Sequence, residues 1–308
     1  MTDWVIGADL GGTKVELGLV SPDNAIVART RIATHPEDGP ASLTARLGAA
    51  VDELRAALPA DATLRALGIC SPGPVDHIGG KLSDPPNLQG LHGMPLRDLL
   101  HDRTGLPVVL EHDAKAAALG DFHYGAGQDV EDMIFVVVGT GVGAAYIIDG
   151  ELYRGRHNAA GEIGHVTLEL NGDLCSCGNR GCVETFLSGP RLAQRYARAA
   201  GVDPASVSGE LVADLTAQGD PVAVEVMAGA GEALAVAVGT MAMVLDVDFY
   251  VIGGSVAKAG DLLLEPARRA ITRHCHASVG ARIVIVPTAL GDDGPILGCA
   301  YLARQLIA

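Results

Sequence analysis

Two glycine-rich turns, each enclosed by apolar segments rich in β-branched residues, constrain the fold of this chain more than any other feature. The first turn spans residues 9–13 within WVIGADLGGTKVELGLVS, and the second spans residues 139–143 within DMIFVVVGTGVGAAYIIDGELYRG. Apolar segments on both sides of a short glycine turn predict two strands joined by a hairpin. The turns lie about 130 residues apart, which is the repetition expected of a duplicated domain.

The segments that follow each turn repeat one plan. After the first turn come a strand (AIVARTRIAT), an amphipathic helix (SLTARLGAAVDELRAAL) and the strands LRALGICSPG and LPVVLEHD. After the second come the long helix DPVAVEVMAGAGEALAVAVGTMAMVLDVD and the strand FYVIGGSV. This alternation of strands and helices predicts an α/β fold made of two similar lobes.

Size and charge exclude several classes of protein. The chain has 308 residues, enough for two hydrophobic cores. Its formal net charge of −15 would repel nucleic acids and anionic membranes, so we expect neither as a partner. The first residues lack the basic and apolar regions of a signal peptide, and no uninterrupted apolar run reaches the roughly 18 residues of a membrane-spanning helix. A cytoplasmic protein is therefore expected.

The glycine turns have two interpretations. Without a Cβ atom, backbone N–H groups can approach a phosphate closely, and glycine also tolerates positive φ, so two such turns are suited to holding a triphosphate. Glycine is equally ordinary in a purely structural hairpin. Neither turn ends in the Gly-Lys-Ser/Thr of a P-loop, and neither opens a helix as a dinucleotide-binding fingerprint does.

A cluster of metal-ligand residues stands in the segment GHVTLELNGDLCSCGNRGC. It offers one imidazole and three thiols, from His165, Cys175, Cys177 and Cys182. This set suits tetrahedral zinc, and four protein ligands leave no open position, so the sequence predicts a structural rather than a catalytic zinc site. The alternative is three free buried cysteines. The other three cysteines are isolated in the sequence and are interpreted as core residues.

The motifs DLGGTK, SPGPVD, EHDAKAAALGDFHYGAG, GTGVG, AGEIGH, CSCGNRGCVE and VIGGSV resemble, in this order, those of the ROK family of bacterial sugar kinases and repressors. The resemblance covers nearly the whole chain. It implies the two-lobed actin-like, ribonuclease-H-like ATPase fold of duplicated domains, with ATP and Mg²⁺ in a cleft between the lobes. The implied nucleotide and magnesium residues are Asp9, Gly11, Gly12, Thr13, Lys14, Gly139, Thr140, Gly141, Gly143 and Gly254.

The resemblance also assigns the catalytic base and the sugar ligands. Asp113 matches the aspartate that takes the proton from the attacking sugar hydroxyl, a role that a carboxylate at a strand end can fill. From local sequence alone, Asp113 would be interpreted as a helix cap, and the two glutamates of the set as solvated surface residues. The implied sugar-binding residues are Asn87, His112, Asp113, Glu162, His165 and Glu184.

Two residues depart from the family pattern Glu-Asn-Asp-Ala-Asn. Lys115 replaces the second asparagine, and an exposed helical salt bridge with Glu111 would explain it. His112 replaces the first asparagine, which in the family holds the sugar hydroxyls around carbons 3 and 4, so the substrate at those carbons is open. Glucose, the 3-amino sugar kanosamine and a glucose-like cyclitol all remain candidates for phosphorylation, and for the hexoses the acceptor is the 6-hydroxyl.

A kinase is favoured over the other members of the family. A repressor would carry a helix-turn-helix before the first glycine turn, and that turn begins at Asp9. A non-catalytic sugar-sensing protein would not need Asp113 together with two intact turns. We expect a small lobe of residues 1–118 joined by the last helix, 294–308, a large lobe of residues 119–293 that carries the zinc loop, and a homodimer, as is usual in the family.

Overall fold

The computed structural model describes residues 3–83, 85 and 87–308. The chain divides into two compact units. Unit 1 comprises Met1–Gln128, Arg154–Ala159 and Asp292–Ala308, and unit 2 comprises Asp129–Tyr153 and Ala160–Gly291. The lobe limits given above, at residues 118 and 294, stay a prediction.

Unit 1 is built on a five-stranded sheet with the order β3-β2-β1-β4-β7. Strand β1 pairs antiparallel with β2 and parallel with β4, and β4 pairs parallel with β7. The elements of this unit are β1 (Trp4–Leu10), β2 (Lys14–Val20), β3 (Ile26–Ala33), α1 (Gly39–Ala56), β4 (Leu64–Ser71), β5 (Val75–Asp76), β6 (Lys81–Leu82), α2 (Leu96–Thr104), β7 (Val108–His112), α3 (Asp113–Tyr124) and α10 (Gly294–Gln305).

Unit 2 repeats this arrangement in the order β10-β9-β8-β11-β12. Its central strand β8 pairs antiparallel with β9 and parallel with β11, and β11 pairs parallel with β12. The elements are β8 (Met133–Val138), β9 (Val142–Ile148), β10 (Glu151–Tyr153), α4 (Glu184–Leu187), α5 (Gly189–Ala200), α6 (Gly209–Ala217), α7 (Pro221–Leu245), β11 (Phe249–Gly253), α8 (Asp261–Ala270), α9 (Ala277–Gly280) and β12 (Val284–Pro287).

The two sheets therefore share one topology, position by position. In each, a glycine turn joins the central strand to its antiparallel neighbour, and two parallel strands extend the sheet on the other side. The predicted α/β fold of duplicated domains is confirmed. The strands and helices named from the sequence all form, within a few residues of the predicted limits.

Each sheet buries an apolar face against helices. In unit 1, α1 presents buried residues at the spacing of three and four that places them on one face of a helix: Leu43, Leu47, Val51 and Leu54. They pack in one core cluster with Leu10 and Ile69 of the sheet. Burial of side chains of this size contributes about 1.5–3 kcal/mol each, which fixes the helix to the sheet.

Helix α10 lies on the other side of the unit 1 sheet and approaches it through backbone atoms. A Cβ built on Gly7 of β1 would lie 1.9 Å from the carbonyl oxygen of Ile296, and one on Gly68 of β4 would lie 2.0 Å from that of Cys299. A Cβ on Gly298 would lie 1.8 Å from the carbonyl oxygen of Ala116 in α3. Glycine is required at these positions because no side chain fits between the two backbones.

Helix α7 is long and apolar enough to cross a membrane by the criteria of length and composition alone. However, 56% of its most apolar 18-residue window is buried inside the protein. Its buried side chains, among them Met227, Leu234 and Met241, belong to the core cluster of unit 2. This is the environment of a core helix.

Candidate active site

The two aspartates singled out from the sequence both lie at the carboxyl ends of parallel strands in unit 1. Asp9 is the next-to-last residue of β1, and Asp113 follows β7 as the first residue of α3. Strands β1, β4 and β7 run parallel to one another, so these ends share one edge of the sheet. Open α/β sheets bind their ligands at this edge.

The carboxylate of Asp9 is held in an environment that disfavours its charge. Burial, and then the charge of Asp113, raise the pKa of Asp9 to about 6. The thiol of Cys70 donates a weak hydrogen bond to its Oδ1 at 3.5 Å. A carboxylate in this position gains from a bound cation, which would offset both the burial and the neighbouring negative charge. Asp9 therefore fits the predicted role beside magnesium.

The junction of β7 and α3 orients Asp113 through its neighbours. The Nδ1 atom of His112 lies 3.2 Å from Oδ1 of Asp113, and the backbone N–H of Ala114 donates to the same oxygen at 2.6 Å. His112 is the N-cap residue of α3 with an extended backbone, so Asp113 opens the helix where backbone N–H groups favour negative charge. The side chain of Asp113 is 38% exposed, which leaves the carboxylate accessible to a ligand.

The expected exposed salt bridge between Glu111 and Lys115 is wrong. Lys115 is only 2% exposed, and its ammonium donates to the carbonyl oxygen of Asn158 at 2.6 Å and to its Oδ1 at 2.7 Å. Glu111 is 1% exposed and accepts a hydrogen bond at 2.8 Å from Nε of Arg154. The spacing of four residues is that of neighbours on a helix, which predicted the pair. Both side chains instead point into the protein and bind a segment about 40 residues further along the chain.

The first glycine turn is compact and is tied to the next strands. The N–H of Gly11 donates to the carbonyl of Lys14, and the hydroxyl of Thr34 donates to the carbonyl of Gly11. A Cβ on Gly12 would lie 3.2 Å from the carbonyl oxygen of Asn87, a predicted sugar ligand that is exposed here. The remaining turn residue, Thr13, is exposed like Lys14, whose ammonium bonds Glu16.

Gly11, Gly12 and Gly141 provide space for neighbouring atoms, which would lie 2.9–3.2 Å from a Cβ built there, whereas at Gly139 and Gly143 no atom would lie closer than 3.5 Å. Gly11, Gly12, Gly139, Gly141 and Gly143 are absent from the positive-φ residues of the described chain. Gly143 lies inside β9 rather than in the turn. These turns therefore do not draw on the tolerance of glycine for positive φ, whereas close approach of other groups accounts for Gly11, Gly12 and Gly141.

Gly254 does require glycine on both grounds. Its φ is 93°, and a Cβ there would lie 2.4 Å from the carbonyl oxygen of Val138 at the end of β8. The residue thus packs directly beneath the second glycine turn. It allows the chain leaving β11 to pass next to that turn, as its assignment to the nucleotide site requires.

A cavity of about 730 Å³ lies within unit 2 beside the second glycine turn, in the size range of small-molecule sites. Gly139 and Thr140 of the turn line it. The N–H of Gly189, at the start of α5, donates to the carbonyl of Gly139 at 2.8 Å and brings that helix end to the cavity. The sequence reasoning missed most of the lining, which includes Gly189, Ser208, Met227, Ser255, Val256 and Lys258.

A second group of predicted residues occupies the GEIGH segment of unit 2. Gly161 and Gly164 let this segment lie directly on β9, because a Cβ on either would lie within about 2 Å of a backbone carbonyl oxygen. Glu162, between them, is exposed, and its charge contributes after burial to the raised pKa of Tyr146. His165 closes the short 3₁₀ turn that follows.

The four predicted metal ligands come together. The ligand atoms of His165, Cys175, Cys177 and Cys182 all lie within 4.8 Å of one another. Sγ of Cys177 and Sγ of Cys182 are 3.8 Å apart, and thiolates bound at about 2.3 Å to a tetrahedral zinc are separated by about 3.8 Å. Nδ1 of His165 lies 3.7 Å from Sγ of Cys175, so the opposite ring nitrogen faces away from the sulfurs. The donor set and its spacing both fit zinc.

Glu184 links the cysteine cluster to the second glycine turn. Its Oε2 accepts a hydrogen bond from the N–H of Val142 at 3.1 Å and would meet a Cβ on Gly141 at 2.9 Å. Its Oε1 accepts from the hydroxyl of Ser176 at 3.2 Å. Its predicted partners Glu162 and His165 lie in the same unit, whereas Asn87, His112 and Asp113 belong to unit 1.

Comparison with known proteins shows which family and which enzymes this chain is similar to. The ROK family profile matches residues 5–306. A glucokinase of Thermotoga maritima is 32% identical over 316 residues, covering 98% of both chains, and an N-acetylmannosamine kinase of Yersinia pestis is 35% identical over 301 residues, covering 97% of this chain and 98% of that one. The structure of a ROK family glucokinase from Streptomyces griseus in complex with glucose and AMPPNP has a TM-score of 0.84 at 32% identity, covering 98% of this chain and 99% of that one.

Two units of one topology, with carboxylates and glycine turns at their strand ends, define a protein with the two-lobed actin-like ATPase fold. The chain belongs to the ROK family. It is an ATP-dependent sugar kinase of that family.

Proposed function

We propose that this kinase transfers the γ-phosphoryl group of ATP to the 6-hydroxyl of a glucose-type hexose, with Asp113 as the general base. The observation that carries the proposal is the placement of Asp113 at a ligand-binding sheet edge, close enough to raise the pKa of Asp9 and still exposed. The sugar oxygen bonds to the γ-phosphorus as the bond from phosphorus to the bridging oxygen breaks and ADP leaves. The hydroxyl proton passes to the carboxylate of Asp113.

The nucleotide-binding parts of this proposal rest on two features. The cavity next to Gly139 and Thr140 has the size for a nucleoside, and the turn that borders it can offer backbone N–H groups to phosphate. Asp9 would hold magnesium, which when bound neutralises the charge of the phosphates. The structure of the Streptomyces griseus glucokinase contains AMPPNP together with glucose, which supports a nucleotide and a sugar as joint substrates here.

Zinc is proposed for the His165 and cysteine cluster, in a structural role. All four positions of a tetrahedron are filled by protein atoms, so the ion would organise the loop and would not activate water. This loop leads directly into Glu184, which the neighbouring Ser176 contacts. The zinc would therefore fix the position of a proposed sugar ligand.

Replacement of the base tests the central assignment. Asp113→Asn keeps the shape of the side chain and removes the proton acceptor, so kcat should fall by about 10²–10⁴-fold while sugar binding persists. The measurements are steady-state phosphorylation and glucose binding by calorimetry. Asp102→Asn, at an exposed position of α2, is the matched control. A variant at position 113 that keeps more than a tenth of the wild-type kcat would show that another group takes the proton.

A second candidate substrate is kanosamine, and the position of His112 favours it. Nδ1 of His112 faces Oδ1 of Asp113 at 3.2 Å, and in a neutral imidazole with its proton on Nδ1 the Nε2 atom can accept a hydrogen bond from an amino group at carbon 3 of the sugar. The relatives do not decide the sugar, since their names cover glucose and N-acetylmannosamine.

His112→Asn should shift the ratio of kcat/KM values from kanosamine towards glucose by about tenfold or more if this hydrogen bond is made. The check is to measure both sugars, with mannose and N-acetylated hexosamines, in the wild type and the variant. A wild type that prefers glucose, with a ratio that the substitution does not move, identifies an ordinary glucokinase.

A further inference from the structure

Unit 1 contains two buried ionic groups that the proposed mechanism does not use, Glu111 and Lys115. They are 1% and 2% exposed, and they stand two residues before and two residues after Asp113. A buried charge costs several kcal/mol unless it is paired, and a cation in the first turn of a helix is further opposed by the helix dipole. Both effects destabilise the buried ammonium of Lys115 in α3. Its hydrogen-bond partners must therefore offset them.

Both charges bind the same short stretch of chain, the Arg154–Ala159 segment. Nε of Arg154 donates to Oε2 of Glu111 at 2.8 Å, and Nζ of Lys115 donates to two oxygens of Asn158. The side-chain amide of Asn158 donates in turn to the carbonyl of Val75 at 3.0 Å. The segment has no regular secondary structure, and Asn158 has a φ of 58°, so these bonds determine its position.

The same contacts act on the backbone that carries the base. Oε1 of Glu111 accepts from the N–H of His112 at 2.9 Å while Oε2 holds Arg154, so one carboxylate joins the β7–α3 junction to the segment. Lys115 makes the second connection from within α3. The junction is thus held on both sides of Asp113, within a single compact unit of the chain.

We propose that the Arg154–Ala159 segment positions Asp113 for proton acceptance, with Arg154 and Lys115 as positioning residues. Neither residue needs to touch the substrate. The expected effect on rate rests on the proposed function, in which Asp113 is the base. Misplacement of a base by about 1 Å can lower the rate about a hundredfold. The structural part of the inference does not depend on the proposed function, because loss of either contact should loosen the backbone at residues 112–116 whatever the substrate.

The experiment compares Arg154→Met, Lys115→Met and the double variant Glu111→Gln/Arg154→Met with the wild type. Arg29→Met is the matched control, since Arg29 forms an exposed ion pair with Asp293 at 2.7 Å in the same unit. The readouts are kcat and KM for glucose and ATP, thermal stability, and hydrogen exchange of peptides that cover residues 108–118 and 154–160.

Each single variant should lower kcat about tenfold to a hundredfold with little change in the KM for ATP, and should speed exchange at residues 112–116. The double variant removes the unpaired buried carboxylate, so it should regain thermal stability but not kcat. Recovery of kcat together with stability, or exchange no faster than in Arg29→Met, would overturn the positioning role. If the wild type phosphorylates no hexose, the proposed function fails and the exchange data alone decide this inference.

Discussion

At the scale of single residues, the site is governed by carboxylates whose environments differ. Asp9 is buried enough for its pKa to rise to about 6, whereas Asp113 sits at a helix start with its carboxylate partly exposed. Glu111 is the most deeply buried of the three and is paired with Arg154. We propose that burial and partners give these three acidic groups three distinct roles: a cation site, a proton acceptor and a structural anchor.

The raised pKa of Asp9 predicts how stability depends on pH. Because the folded state binds the proton of Asp9 more tightly than the unfolded chain, stability is lost as the pH rises from about 4 to about 6 and stays reduced above that range. Asp9→Asn should therefore unfold with a free energy about 1–3 kcal/mol higher than the wild type at pH 7 without divalent cations.

The test is denaturant unfolding of both proteins at several pH values. The advantage of the Asn variant should shrink as the pH is lowered from about 6 to about 4, and kinase activity should be lost throughout. An advantage that is constant over this range would mean that the ionisation of Asp9 is not its source. Addition of Mg²⁺ and nucleotide should stabilise the wild type but not the variant.

At the scale of elements, the sequence predicts strands and helices well because their signals are local. Alternating and β-branched runs predicted both sheets, and the glycine turns predicted the hairpins and the duplication. The metal cluster was predictable for the same reason, since three of its four ligands lie within eight residues, from Cys175 to Cys182. The binding role of Asp113 came from resemblance, because a capping aspartate has the same local pattern.

What the sequence could not provide are contacts between distant segments. Lys115 was expected to be exposed because a spacing of four on a helix does not say which face is buried. Arg154 and Asn158 carry no local signal that connects them to residues about 40 positions earlier. The cavity lining in unit 2 is likewise assembled from segments far apart in the sequence, namely the start of α5, helix α6, the first third of α7 and the turn after β11.

The packing of α10 predicts opposite effects for two glycine substitutions. Gly298→Ala places a Cβ 1.8 Å from a backbone oxygen of α3, and backbone cannot move aside, so the substitution should destabilise the protein by about 3 kcal/mol. Gly229→Ala in α7 is the matched control, because no atom lies within 4 Å of the new Cβ. That control should gain about 0.5–1 kcal/mol from helix propensity. Thermal unfolding of both variants measures these changes in stability. Equal changes in the two variants would contradict the close approach of α10 to α3.

The cysteine cluster predicts a measurable metal dependence. The purified protein should hold about one zinc per chain, and Cys177→Ser should lose both the metal and the protection of the loop 165–182 from proteolysis, because metal ligation contributes folding energy directly. Cys275→Ser, outside the cluster, serves as the control. Metal analysis and limited proteolysis give the readouts. A metal-free wild type with a protected loop would show that the loop folds without zinc.

At the scale of the whole molecule, the two units share one sheet topology but carry different functional groups. The strand ends of unit 1 carry the acidic groups of the site, and unit 2 carries the cavity and the cysteine cluster. The formal charge of −15 makes the surface repulsive to polyanions in general, so a nucleotide must be held by local backbone donors and by a cation. We propose that the two glycine turns and Asp9 supply those features.

The packing of α10 also has a consequence for biosynthesis. Gly7 and Gly68 lie in strands that are synthesised well before residues 294–305, whose backbone covers them. Unit 2 can bury its core as soon as residue 291 has emerged, whereas unit 1 must wait with one face of its sheet uncovered. We therefore expect unit 2 to complete its core before unit 1, and the face of the unit 1 sheet that α10 covers to stay open on the nascent chain until residues 294–305 are made.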